Sequence, residues 1–215
     1  MSRLVNASLG RRQFVTRAGA LLFVVPVAGV GLGSLLGCDS EGASASLAST
    51  AAQPSEPDPK SLSWKTKIVA DTEPGEPLVV TGRFFAAGGK TPLEGVVLYF
   101  YHTDARGLYS ERDGNGPPDP RIKGWLKTDA EGRYEFRTIK PASYPNSRIP
   151  AHIHAKATAP GAAEQWIEEF WFEGDPHIGV QSLEHARAAG QFSNVMLIKR
   201  GAGGVLNCTR DIRLK

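Results

Sequence analysis

The chain has 215 residues, 41% hydrophobic and 22% charged, with 24 Gly and 15 Pro, which excludes a coiled coil, a collagen-like repeat and a polytopic membrane protein. Its net charge of +3 belongs to the leader: Arg3, Arg11, Arg12 and Arg17 face no acid within residues 1–38, leaving 21 basic and 22 acidic residues beyond. Charge therefore gives no reason to expect nucleic acid as a partner, and two cysteines, Cys38 and Cys208, are too few for a disulfide framework or a thiolate zinc site.

In chain order, the first element is a leader. A paired arginine, an uncharged run from Ala18 to Gly37 and a small-residue approach to Cys38 read as an export signal, with an uncleaved membrane helix as the alternative. Five glycines and Pro26 make that run a weak helix. Arg11-Arg12-Gln13-Phe14-Val15 resembles a twin-arginine signal, and Leu35-Leu36-Gly37-Cys38 resembles a bacterial lipobox. The resemblance implies a signal peptide over 1–37, lipidation at Cys38, and a protein exported by a twin-arginine-type route and lipid-anchored on the outer side of the cytoplasmic membrane. Lipid on Cys38 leaves Cys208 a lone thiol packed in a strand, a disulfide between the two being the alternative. Residues 38–62, nearly free of large apolar side chains, read as a flexible tether.

From 63 to 215 the pattern is all-β. Apolar runs of strand length, many alternating with period two, occupy 77–86, 96–103, 122–128, 133–139, 151–158, 167–172, 194–199 and 205–214. Turn signals such as AAGGKTP, TDAEGR and RGAGG separate them. Only Ser182 to Ala189 suggests a helix. The expected architecture is an antiparallel β-sandwich with long loops.

In Arg148-Ile149-Pro150-Ala151-His152-Ile153-His154, two histidines at i and i+2 of a strand share a face, where two imidazoles can bind one metal ion. Further ligands are then needed, and loop tyrosines accompany the pair: Tyr144, eight residues before His152, and Tyr109, just after a strand. A phenol ionises near pH ~10, so only a strong Lewis acid such as ferric iron makes it a ligand near neutrality. On residues alone, Tyr144 as a turn residue and Tyr109 as a rim aromatic remain open.

The blocks PLEGVVLYFYHTDARGLYS, KGWLKTDAEGRYEFRTIKPASYP, RIPAHIHAKATAPG and EFWFEGDP resemble, in order, the intradiol ring-cleavage dioxygenases, particularly the protocatechuate 3,4-dioxygenase type. That resemblance implies Fe(III) held by Tyr109, Tyr144, His152 and His154, and catechol and O2 as substrates. It further implies Tyr144 as a general base, and ring opening between the hydroxylated carbons to a cis,cis-muconate. His102, His177 and His185 match no ligand position. At the family's usual arginine position stands Ile149, so the catalytic cation is expected at Arg148; Glu169 stands where glutamine is frequent, and Asn146 where an aromatic is frequent. A non-catalytic transthyretin-like module binding a phenolic ligand or a metal is the alternative, and homo-oligomerisation is left open.

Overall fold

The computed structural model describes residues 57–110 and 120–215; the expected signal peptide, Cys38 and most of the tether lie outside the described residues. Two packed sheets make up the fold. In one, β1 (Lys65–Lys67), β5 (Arg133–Ile139), β2 (Pro77–Phe85), β10 (Leu206–Thr209) and β9 (Lys199–Arg200) lie side by side, and β11 (Ile212–Arg213) also pairs with β2. In the other the order is β4 (Ile122–Lys127), β3 (Val97–His102), β6 (His152–Thr158), β7 (Gln165–Phe172) and β8 (Val195–Met196). The helix α1 (Val180–Ala189) connects β7 to β8.

The all-β architecture expected from alternation is present, with a refinement in strand direction. The centres of both sheets are antiparallel, but β1–β5, β2–β10, β2–β11 and β7–β8 are parallel pairs. Parallel neighbours need a crossover, and here α1 supplies one between β7 and β8. The run expected over 194–199 splits because its first half joins β7 while its second crosses to the other sheet and joins β10. The run expected over 205–214 breaks at Arg210 and Asp211, where Arg210 N donates to Thr81 O and the Asp211 carboxylate accepts from Arg83 N.

Alternation fills the space between the sheets. Leu98 and Phe100 of β3, Ile153, Ala155 and Ala157 of β6, and Val80, Tyr134 and Phe136 from the opposite sheet are all buried in one core. Phe136 stacks on Phe100 at 4.1 Å and meets Phe170 edge-on at 6.1 Å. Cys208 is buried in β10 as a free thiol, packed in the core as its strand position suggests. His102 is also interior: Nδ1 donates to Thr103 O, Nε2 accepts from the Thr138 hydroxyl, and burial holds its pKa down to about 4. It is a structural histidine.

Because Phe136 bridges both sheets, Phe136→Ala is expected to destabilise the fold by about 3–5 kcal/mol, a loss readable in a denaturant melt.

Candidate metal centre

The core residues of β6 dictate where its histidines go. With Ile153, Ala155 and Ala157 facing inward, His152 and His154 project from the opposite face of the sheet. His152 Nδ1 lies 2.6 Å from Pro150 O, an acceptor only, so Nδ1 carries the proton and Nε2 offers a lone pair. His154 Nε2 stands 2.9 Å from His152 Nε2.

Two loops bring the phenols. Tyr144 Oη lies 3.1 Å from His152 Nε2 and 3.2 Å from His154 Nε2, and it hydrogen-bonds Tyr109 Oη. The two tyrosines and two histidines expected as ligands therefore converge on one point. Tyr109 is 5% exposed, whereas Tyr144 is half-buried, so the cluster opens on the Tyr144 side.

Asp104 organises the Tyr109 loop. Its carboxylate accepts from Arg106 N at 2.8 Å and Leu108 N at 3.0 Å, and pairs with the Arg106 guanidinium. Burial opposes ionisation of this carboxyl, but the hydrogen bonds outweigh it and hold its pKa below the usual range. Gly107 is also required: its φ is +85°, and a Cβ there would stand 2.1 Å from Ser143 O in the Tyr144 loop. The two loops are tied further by Thr103 Oγ1 donating to Ala142 O and Ala142 N donating to Asp104 O. Asn146 adopts φ 57° in the turn after Tyr144, a conformation asparagine tolerates.

A bulge shapes the rear of the site. Between the pairs Ile153–Phe170 and Ala155–Ile167, β7 carries one residue more than β6. Across it, Glu169 Oε1 comes 3.8 Å from His154 Nδ1. Tyr101 stacks on the His154 ring at 4.8 Å, and Tyr99 and Trp125 extend this aromatic row along the sheet. Burial, helped by neighbouring His152, lowers the pKa of His154 to about 4, so its ring is neutral at physiological pH. Burial raises the pKa of both Tyr109 and Tyr144.

Arg148 is exposed and makes no hydrogen bond or ion pair among the described residues, and Ile149 beside it is 48% exposed. The structure does not bring Arg148 into contact with the four-residue cluster. His177 and His185 lie elsewhere, beside Asp175 and Glu168 respectively. Sequence reasoning missed Asp104, Gly107 and Tyr101. For the first two, the T-D-x-x-G turn signal was available.

The donor set fits a metal ion. Ligand atoms about 2 Å from a common ion and at right angles stand about 3 Å apart, as the three nitrogen and oxygen separations do. No cluster of three or more His, Cys, Asp or Glu able to hold a metal occurs among the described residues, so the phenols are essential to such a site.

The family model described as Dioxygenase matches residues 58–214. The protocatechuate 3,4-dioxygenase beta chain of Burkholderia cepacia is 37% identical over 118 residues, covering 50% of either chain. Catechol 1,2-dioxygenase 1 of Acinetobacter lwoffii is 33% identical over 131 residues, 53% of this chain and 41% of that one. Among solved structures, the dioxygenase domain of a dioxygenase and carbohydrate-binding fusion from Streptomyces sp. SirexAA-E superposes with a TM-score of 0.53 at 30% identity, over 69% of this chain and 86% of that one. The chain belongs to the intradiol ring-cleavage dioxygenase family. It spans about half the length, or less, of the curated relatives it matches.

Gly107→Ala is expected to push the Tyr109 loop off the Tyr144 loop and destabilise the fold by about 1–3 kcal/mol. Thermal denaturation would measure the loss, and tyrosine ring signals in NMR would report the separation of Tyr109 from Tyr144.

Proposed function

We propose that this protein is a non-haem ferric dioxygenase that opens a catechol-type ring between its two hydroxylated carbons with O2, giving a cis,cis-muconate. The observation that carries this reading is the convergence of Tyr144 Oη, His152 Nε2 and His154 Nε2 within 3.2 Å of one another, with Tyr109 Oη bonded to Tyr144 Oη. Tyr109, Tyr144, His152 and His154 are the residues that would hold the iron. When bound, Fe(III) supplies Lewis acidity that draws the catechol in as an anion and prepares its ring for O2.

The chain's own residues have separable roles. Pro150 O fixes the His152 tautomer so that its Nε2 lone pair points into the site, and Glu169 faces the His154 Nδ1 side. Tyr144, on the open side, would as a phenolate take the proton of a catechol hydroxyl at Oη, while sealed Tyr109 would keep its place. The stacked Tyr101 ring holds the plane of His154. Arg148, without an ion-pair partner among the described residues, is the cation available in this loop to an ionised substrate. A non-catalytic sandwich is not favoured, because all four donors are present and assembled.

We further propose that the protein is exported by a twin-arginine-type route and anchored through lipid on Cys38; the motifs over 11–15 and 35–38 support this. No helix among the described residues is long and apolar enough to cross a membrane.

The iron-loaded full chain is expected to be wine-red from tyrosinate-to-iron charge transfer. Tyr109→Phe should lose most of that colour and bind iron at least about tenfold more weakly, and anaerobic catechol should shift the band. A colourless protein with full iron occupancy would contradict the reading. Metal uptake should also depend on pH. Both phenols are protonated near neutrality, because burial raises their pKa, and binding must displace those protons. Affinity therefore rises with pH, by about tenfold per unit for each proton released, or about a hundredfold for two. A chelator competition between about pH 6 and 8 measures that slope, and a flat profile would exclude phenolate ligands.

A further inference from the structure

A cleft of about 460 Å³ opens between β7, α1 and the last strand, beside the core residues Ile167 and Ile212, a size usual for small-molecule sites. Its floor holds an unusual group. Arg210 is 4% exposed yet has no ion pair among the described residues. Its Nη1 donates to Glu168 O at 2.7 Å, its Nε is buried without any hydrogen-bond partner, and its guanidinium lies over the Phe170 ring at 4.2 Å. Burial lowers its pKa to about 10, which leaves it protonated at neutral pH.

The backbone forces this placement. Tyr134 and β2 pin the segment: Tyr134 Oη donates to Arg210 O at 2.7 Å, and Arg210 N donates to Thr81 O at 2.8 Å. Gly82 makes the approach feasible, since a Cβ there would stand 1.8 Å from Arg210 O. A buried, unpaired guanidinium is unfavourable for stability, and replacing such a group by an apolar one is commonly neutral or stabilising. Stability alone therefore does not account for Arg210.

The rest of the lining suits an anion with an apolar body. Arg213 and Lys215 add exposed cations at the mouth, neither with an ion pair among the described residues, and His185 sits opposite; Glu168 is the opposing charge. Ile167, Phe192 and Trp166 supply the apolar walls, and the Arg213 guanidinium lies over the Phe192 ring at 5.1 Å. We infer that this cleft is a second ligand site, binding a small-molecule carboxylate with an aromatic body: Arg210 takes the carboxylate, and Phe192 and Ile167 flank the ring. The site uses none of the four metal-binding candidates, and the inference holds whether or not ring cleavage occurs.

The test uses the full chain stripped of metal with a chelator, so that no carboxylate is captured by iron. Benzoate and its neutral isostere benzamide are titrated by isothermal calorimetry. Benzoate is expected to bind saturably at one site, benzamide at least about tenfold more weakly, as loss of a charged hydrogen bond implies. Arg210→Met should abolish benzoate binding while its melting temperature stays level or rises. Should that variant fail to fold, Arg213→Glu, at an exposed position, should keep the fold and weaken benzoate by about tenfold. Absence of saturable benzoate binding would overturn the inference, as would equal affinity for benzamide or unchanged affinity in Arg213→Glu.

Discussion

The site depends on the period-two alternation of a single strand held between two neighbours. β6 pairs with β3 from Ile153 to Thr158, and Ile153, Ala155 and Ala157 are committed to the core. A one-residue slip would bury both imidazoles among Phe100, Phe136 and Phe170 and expose the apolar set. The hydrophobic effect that stabilises the sandwich thus also aims His152 and His154. Their position is a consequence of packing on the opposite face.

What the sheet does not supply, the loops do, and they are held by local hydrogen bonds as well as by burial. Asp104 folds the turn that carries Tyr109, Gly107 allows that turn to meet the Ser143 carbonyl, and Pro150 O orients the ring of His152. The outcome is two phenols and two imidazoles whose polar atoms crowd one point. In the absence of a cation, such crowding sets lone pairs against one another. A metal ion that displaces the phenolic protons turns the same arrangement into mutual attraction.

Much of this was legible in the sequence, for physical reasons specific to each element. Strands such as Arg133–Ile139 alternate cleanly because one face meets the core, and the four ligand candidates are rare residue types at telling spacings. By contrast, β1 reads Lys65-Thr66-Lys67, a charged edge strand with no apolar signature, defined only by its pairing with β5. The bulge that brings Glu169 toward His154 leaves no mark on β7, because it arises from register with another strand. The split of the last strands follows from a change of sheet, which local pattern does not encode. Arg210 belongs to the same class: in the sequence it is an ordinary cation beside an aspartate, and only the fold strips it of water and leaves its Nε without a hydrogen-bond partner.

The central claim is that this donor set supports opening of a catechol between its hydroxyls with both atoms of dioxygen. The most direct measurement is turnover of catechol by the iron-loaded full chain under labelled dioxygen, with the product read by mass spectrometry. The account predicts cis,cis-muconate with one labelled oxygen in each new carboxylate. Muconate without label, a semialdehyde from cleavage outside the diol, or no product from a fully iron-loaded protein would contradict it.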